Sequence, residues 1–293
     1  MYYIHKLSTP ALETKLASQQ LKSFNADFLH QEFKTNSNTL SFWSVNNLNN
    51  INKSDSVKAI LLAQGQFSSA AFVVLDKNDI AKNNLEIIES IGNTGYKGKS
   101  NLHRDLCNLK ISTVFDLFEI YKDNVKKESY HFRITKSEMK KSILKLMKNN
   151  EIDYNHIQNT LIIAIFRDLL KTEKSFDEKS KYCRNLIFEV SKCKPYLLKE
   201  LFEDFIKNKY DSQLFLDLIK TAFCGLSDDF RIEEGLFDIT NDISQFNNKN
   251  IIDIINLMIN LSKTQNNSDF LYLLEDLKNC DFQTFYNANL GVS

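Results

Sequence analysis

The chain has 293 residues, 43% of them hydrophobic and 25% charged, with 22 Phe, 11 Tyr, one Trp and a formal net charge of zero. This much apolar material excludes a disordered chain, and the balanced charge gives no basis for assigning nucleic-acid binding from charge alone. Seven Gly and two Pro are too few for the many tight turns of an ordinary β-sandwich or barrel, so a helix-rich architecture is expected.

The first hundred residues alternate between strand and helix patterns. MYYIHKL at 1–7 reads as a strand, and 7–23 as a helix with Ser8 or Thr9 as cap and Pro10 in its first turn. LSFWSV (40–45) is a second strand and the Asn-rich 46–55 a loop. SVKAILLAQGQ (56–66) is a short helix, AFVVLD (71–76) a β-branched strand, and LEIIESI (85–91) a further strand. Interleaving of this kind predicts an α/β or α+β unit, with a mixed sheet as one form of it.

Beyond Ser100 every segment reads as helix. Leu102, Leu106, Leu109, Val114, Leu117, Phe118 and Tyr121 keep approximate helical spacing. Thr135 followed by Glu138 is a capping-box pattern at the start of a lysine-rich helix. Residues 153–171 form a strongly apolar helix. The apolar stripes of 195–209 and 210–224 coincide after a shift of 17 residues, which predicts two packed helices, and 251–261 and 270–278 supply two more. The expected organisation is therefore an α/β domain over 1–110 with three to five strands, followed by an all-helical bundle or short α-solenoid over 111–293.

The stretch GNTGYKGKS, Gly92 to Ser100, is the one motif that suggests chemistry. Gly92, Gly95, Gly98, Lys99 and Ser100 form a candidate phosphate-binding loop. Glycines let backbone N–H groups converge on an anion, lysine supplies charge, and a hydroxyl can hold magnesium. A Walker loop places its first glycine at position 93, where the chain has Asn93. The strand ending in Asp76 comes before the loop rather than after it, and no further strands are expected downstream. The alternative is a turn joining the α/β unit to the helices, with its surface available for contact.

Other constellations are sparse. His103, Arg104 and Asp105 are expected on the first turn of a helix, pointing apart as surface ion-pairing groups. The remaining histidines are isolated, no H-x-x-x-H, H-E-x-x-H, CxxC or G-x-S-x-G occurs, and none of the five arginines is followed by histidine four to six residues later. Five scattered cysteines read as buried free thiols. Lys141, Lys145 and Lys148 share one face of the lysine-rich helix, opposite Met139, Ile143, Leu146 and Met147, and close to Tyr130 and Phe132. They are the candidate nucleic-acid-binding residues, although a solvated amphipathic helix has the same pattern.

Residues 1–150 carry 21 Lys and Arg against 14 Asp and Glu (+7), and residues 151–293 carry 16 against 23 (−7), so each half is expected to attract the other or a different partner. No secretory leader or membrane-spanning segment is evident, and a cytoplasmic location is expected.

The leading functional expectation is a protein–protein interaction component: an accessory subunit or adaptor of a larger bacterial assembly, such as a mobile-element or anti-phage defence system, with another protein subunit as partner and no cofactor. A nucleotide- or phosphate-binding enzyme or sensor using 92–100 is the second reading, and a nucleic-acid-associated protein using 126–148 the third.

Overall fold

The computed structural model describes residues 1–8, 14–16, 18, 32–33, 35, 38–171, 176–208, 211–226, 253–254, 256–257, 260, 276, 280 and 282–290. The described chain divides into a sheet-bearing unit, Met1–Gln158, and a helical unit, Asn159–Ser293. The fold class is α+β. Most of the helix expected over 7–23, six of the eleven residues of 251–261 and nearly all of 270–278 lie outside the described residues.

The first unit is built on six strands: β1 (Tyr2–Lys6), β2 (Leu40–Val45), β3 (Ala70–Asp76), β4 (Glu86–Glu89), β5 (His103–Cys107) and β6 (His131–Ile134). Their order is β4-β5-β2-β1-β3-β6, and every pairing is antiparallel, so the sheet is not mixed. The helices of this unit are α1 (Asp55–Leu62), α2 (Lys77–Lys82), α3 (Ile111–Asn124) and α4 (Lys136–Lys148).

Strand alternation sends side chains to two faces. Tyr3, Leu40, Phe42, Ala71, Val73, Leu75 and Leu106 join Leu117, Phe118 and Tyr121 of α3 in one buried cluster. Ile4, Trp43, Phe72 and Val74 occupy the alternate positions, and α1 packs against β1, β2 and α4. Phe132 of β6 stacks on its cross-strand partner Phe72, with ring centroids 4.9 Å apart.

β5 and β6 correct the expectation that no strand follows Ser100 and that the sheet ends by residue 110. HRDLC and HFRI are short and mix charged with apolar residues. Leu102, Leu106 and Leu109 hold helical spacing while lying in a 3₁₀ turn, a strand and a loop respectively. Tertiary pairing overrides that local pattern. The shortage of glycine is also explained. Backbone φ is positive at Asn38, Asn50, Asn84, Asn108 and Asn150, so asparagine occupies corners where glycine is the usual residue.

In the second unit, α5 (Asn159–Lys171), α6 (Phe176–Cys193), α7 (Leu198–Asn208), α8 (Ser212–Leu226) and α9 (Phe282–Asn289) are helical, as expected. The two stripes separated by 17 residues meet through Phe202, Phe205 and Phe215, whose rings lie 5.7 Å apart in each α7–α8 pair. Arg167 grips Asp204 with Nε 2.9 Å from both carboxylate oxygens, tying α5 to α7, and Arg184 reaches Asp217 of α8 at 3.5 Å.

A buried polar group lies within the first core. His5 Nδ1 donates to the Ser41 carbonyl at 2.9 Å, and Nε2 is 3.0 Å from Glu32 Oε1. Glu32 Oε2 accepts the Ser8 N–H at 2.9 Å. Burial, with Glu32 nearby, raises the Tyr121 phenol well above its usual pKa and keeps it un-ionised. His5, Glu32 and Tyr121 are all buried, so the group forms part of the packed core. Glu32→Ala is expected to cost about 3–5 kcal/mol by urea unfolding, because it strands a buried histidine. A His5→Leu/Glu32→Leu double variant is expected to lose less than Glu32→Ala alone.

Candidate functional site

The 92–100 stretch connects antiparallel strands β4 and β5. Its neck is closed by Gly92 N–H donating to the Ser100 carbonyl at 3.0 Å. Ser100 then opens a three-residue 3₁₀ turn, Ser100–Leu102, that leads directly into β5. The α-helix start that a phosphate loop uses is therefore not present here.

The structure gives each candidate residue a local role. A Cβ on Gly92 would lie 2.7 Å from the His103 Cβ and from the Trp43 ring, so close approach requires glycine. The Gly95 carbonyl accepts the Asp153 N–H at 2.8 Å. Gly98 turns the chain at φ +69° with open space around it.

Lys99 Nζ pairs with Asp55 Oδ2 at 2.8 Å, while Lys58 Nζ and the Tyr96 hydroxyl donate to Asp55 Oδ1 at 2.9 and 3.1 Å. Both ammonium groups also flank the Tyr96 ring, 5.6 and 5.8 Å from its centroid. Partial burial alone would raise the Asp55 pKa. Hydrogen bonds from Lys99 and Lys58 outweigh burial and hold it at about 2. Burial and the Asp55 charge push Tyr96 up to about 12, and the same carboxylate raises Lys99. The lysine that a nucleotide reading needs is thus committed to a carboxylate that stays ionised.

Further bonds fix the loop. Thr94 Oγ1 donates to the Ala59 carbonyl of α1 at 2.7 Å, Tyr96 bridges Ile152, and Lys97 N–H donates to the Glu151 carbonyl at 3.0 Å. Two clefts open beside it. One, of about 540 Å³, is lined by Asn46, Asn47, Asn49, Asn50, Lys53 and Lys99 among others. The second, of about 490 Å³, includes Ile91, Gly92, Lys97, Ser100, Asp153 and His156. Their amides, hydroxyls and ammonium groups can hydrogen-bond a polar molecule. Among the described residues no group of three His, Cys, Asp or Glu is placed to hold a metal ion, and no helix is long and apolar enough to cross a membrane.

The lysine-rich helix is α4, with both halves of its capping box formed: Glu138 N–H to Thr135 Oγ1 at 3.2 Å, and Thr135 N–H to Glu138 Oε2 at 2.8 Å. Met139, Ile143, Leu146 and Met147 are buried, and Lys141, Lys145 and Lys148 are exposed. The 92–100 loop also reaches the end of this helix. Lys97 Nζ donates to the carbonyl and Oδ1 of Asn150, just past the end of α4, at 3.0 and 3.2 Å.

His103, Arg104 and Asp105 sit on β5 rather than on a helix turn. Arg104 pairs with Glu89 at 3.0 Å. His103 Nδ1 is 2.7 Å from Ser90 Oγ, and burial lowers its pKa. That spacing is one a nucleophile and base would use. However, the ring is buried edge-on to Trp43 at 5.1 Å, and neither residue lines either cleft, so the bond satisfies a buried nitrogen. The Asp55 hub has no signature in the sequence. Its partners Tyr96 and Lys99 lie 41 and 44 positions away, and the only local signal was an acid at a helix start.

No family model matches the chain, and no curated protein or solved structure matches it.

Asp55 contributes stability at pH values above the ordinary carboxylate range, and that contribution is lost as pH falls from about 4 towards 2. Thermal unfolding followed across this window is expected to show a loss in the parent that is smaller in Asp55→Asn. The exposed setting of the carboxylate keeps the difference modest. Gly92→Ala is expected to destabilise by about 1–3 kcal/mol through overpacking against Trp43, measured by urea unfolding.

Proposed function

We propose that the chain is a protein–protein interaction component, an accessory subunit or adaptor, and that its sheet unit takes an extended segment of a partner onto β4. The supporting observation is the outer edge of that strand. β4 ends the sheet, pairs only with β5, and among the described residues nothing bonds its other side. Such an edge presents a row of backbone N–H and C=O groups ready to pair, which is how strand addition gains affinity.

The side chains beside the edge favour contact. Ile88 is 45% exposed, and Ile91, at the mouth of the second cleft, is 85% exposed. Glu86 and Glu89 are exposed at either end of the strand. Glu86 accepts from Asn108 and Glu89 pairs with Arg104, and charged side chains of this kind beside an edge disfavour pairing of two copies of β4. The two carboxylates suit a partner strand that carries Lys or Arg around an apolar residue.

The test is recovery of the full chain from native cells with its stoichiometric partner, compared with an Ile88→Arg/Ile91→Arg variant. Amide exchange at 86–89 is expected to slow in the complex. The variant is expected to weaken binding at least about tenfold while melting at the parent temperature. Recovery of the parent as a lone monodisperse monomer, or capture that the variant leaves intact, rejects the reading.

A further inference from the structure

A second surface, independent of β4, is the exposed side of α4. We infer that Lys141, Lys145 and Lys148, joined by Lys97 from the 92–100 loop, contact the phosphate backbone of nucleic acid. The three helix lysines are exposed, succeed one another at single-turn spacing, and make no ion pair among the described residues. Like charges at this spacing weaken a helix by a few tenths of a kcal/mol per pair, and only the last turn gains from the helix dipole in return. Lys97 adds a fourth charge at the C-terminal end. Its acceptors, the Asn150 carbonyl and side-chain oxygen, are neutral and leave that charge uncancelled.

Two carboxylates lie near the row and keep their charge: Glu138, whose pKa is lowered by bonds from the Thr135 backbone and hydroxyl and further by Lys141, and Glu151, which accepts from Asn149 at 3.4 Å; the four ammonium groups outnumber them. The first unit as a whole carries 21 Lys and Arg against 16 Asp and Glu, a balance of +5.

The surroundings select the kind of polyanion. The apolar side of α4 is buried against the fold, so the helix has no apolar face to insert into a bilayer. From Lys141 to Lys148 the helix rises about 10 Å, while a duplex presents one charge per about 1.7 Å of axis. Several phosphates therefore lie within reach of the row in any register. Flexible lysines suit such a repeating target without base-specific contact.

The test is fluorescence anisotropy of the full chain with a labelled DNA duplex of about 20 base pairs, from about 50 to 200 mM salt. The parent is expected to bind with log K falling linearly against log salt. Lys141→Gln/Lys145→Gln/Lys148→Gln is expected to flatten the slope by about 2.7, at about 0.9 per phosphate contact. Lys145→Gln alone is expected to remove about 0.9 and carries the test if the triple variant unfolds early. A Lys77→Gln/Lys82→Gln/Lys110→Gln control has the same net charge away from α4 and is expected to keep the parent slope. Absence of salt-dependent binding, or equal flattening in the control, overturns the inference. Equal affinity for poly-glutamate or phosphatidylserine vesicles, lost in the same triple variant, overturns it too.

Discussion

Asp55 gathers three donors onto one carboxylate, and the arrangement of the sheet unit around the loop depends on that convergence. Lys58 comes from the same helix, whereas Tyr96 and Lys99 come from the β4–β5 connection. Each bond is partly exposed and weak on its own. Together they hold nine residues of irregular chain against the start of α1, while Thr94 and Tyr96 secure the same loop to α1 and to the segment after α4. A loop tied at that many points is a fixed surface, and the clefts on either side of it have walls that keep their shape.

The loop also separates two kinds of surface. On the β4 side the chain exposes carboxylates and isoleucines beside a strand edge that nothing bonds among the described residues. Along α4 it exposes ammonium groups over a fully buried apolar face. The two proposed contacts therefore differ in physics as well as place. One rests on directional backbone pairing in a single register, the other on long-range charge that tolerates many registers.

Much of this was legible in the sequence where one pattern acted alone. β3 could be read because AFVVLD is β-branched and buried on both faces. α4 could be read because its capping box and apolar stripe agree, and α7 and α8 because their stripes repeat. β5 and β6 could not, since each is a short, half-exposed strand whose identity comes from the strand beside it. Lys99 stands out in the sequence as a candidate phosphate ligand, and in the structure its ammonium meets a carboxylate. Its partner is Asp55, 44 positions earlier, and no local pattern encodes a contact of that range. The low glycine count agrees with the helix-rich fold, but it measures only one way of turning a chain, and this protein also uses another, asparagine at left-handed corners.

That other way bears on how the fold holds its corners. A glycine in a left-handed turn supplies shape alone. Asparagine in the same backbone position carries an amide that can reach across the bend: Asn108 donates to Glu86 beside the β4–β5 pair, and Asn150 receives the Lys97 ammonium. Each of these bends is therefore also a clasp between neighbouring segments. Exchange for glycine would preserve the path of the chain and remove the side-chain half of the clasp, whereas exchange for a β-branched residue would oppose the path itself.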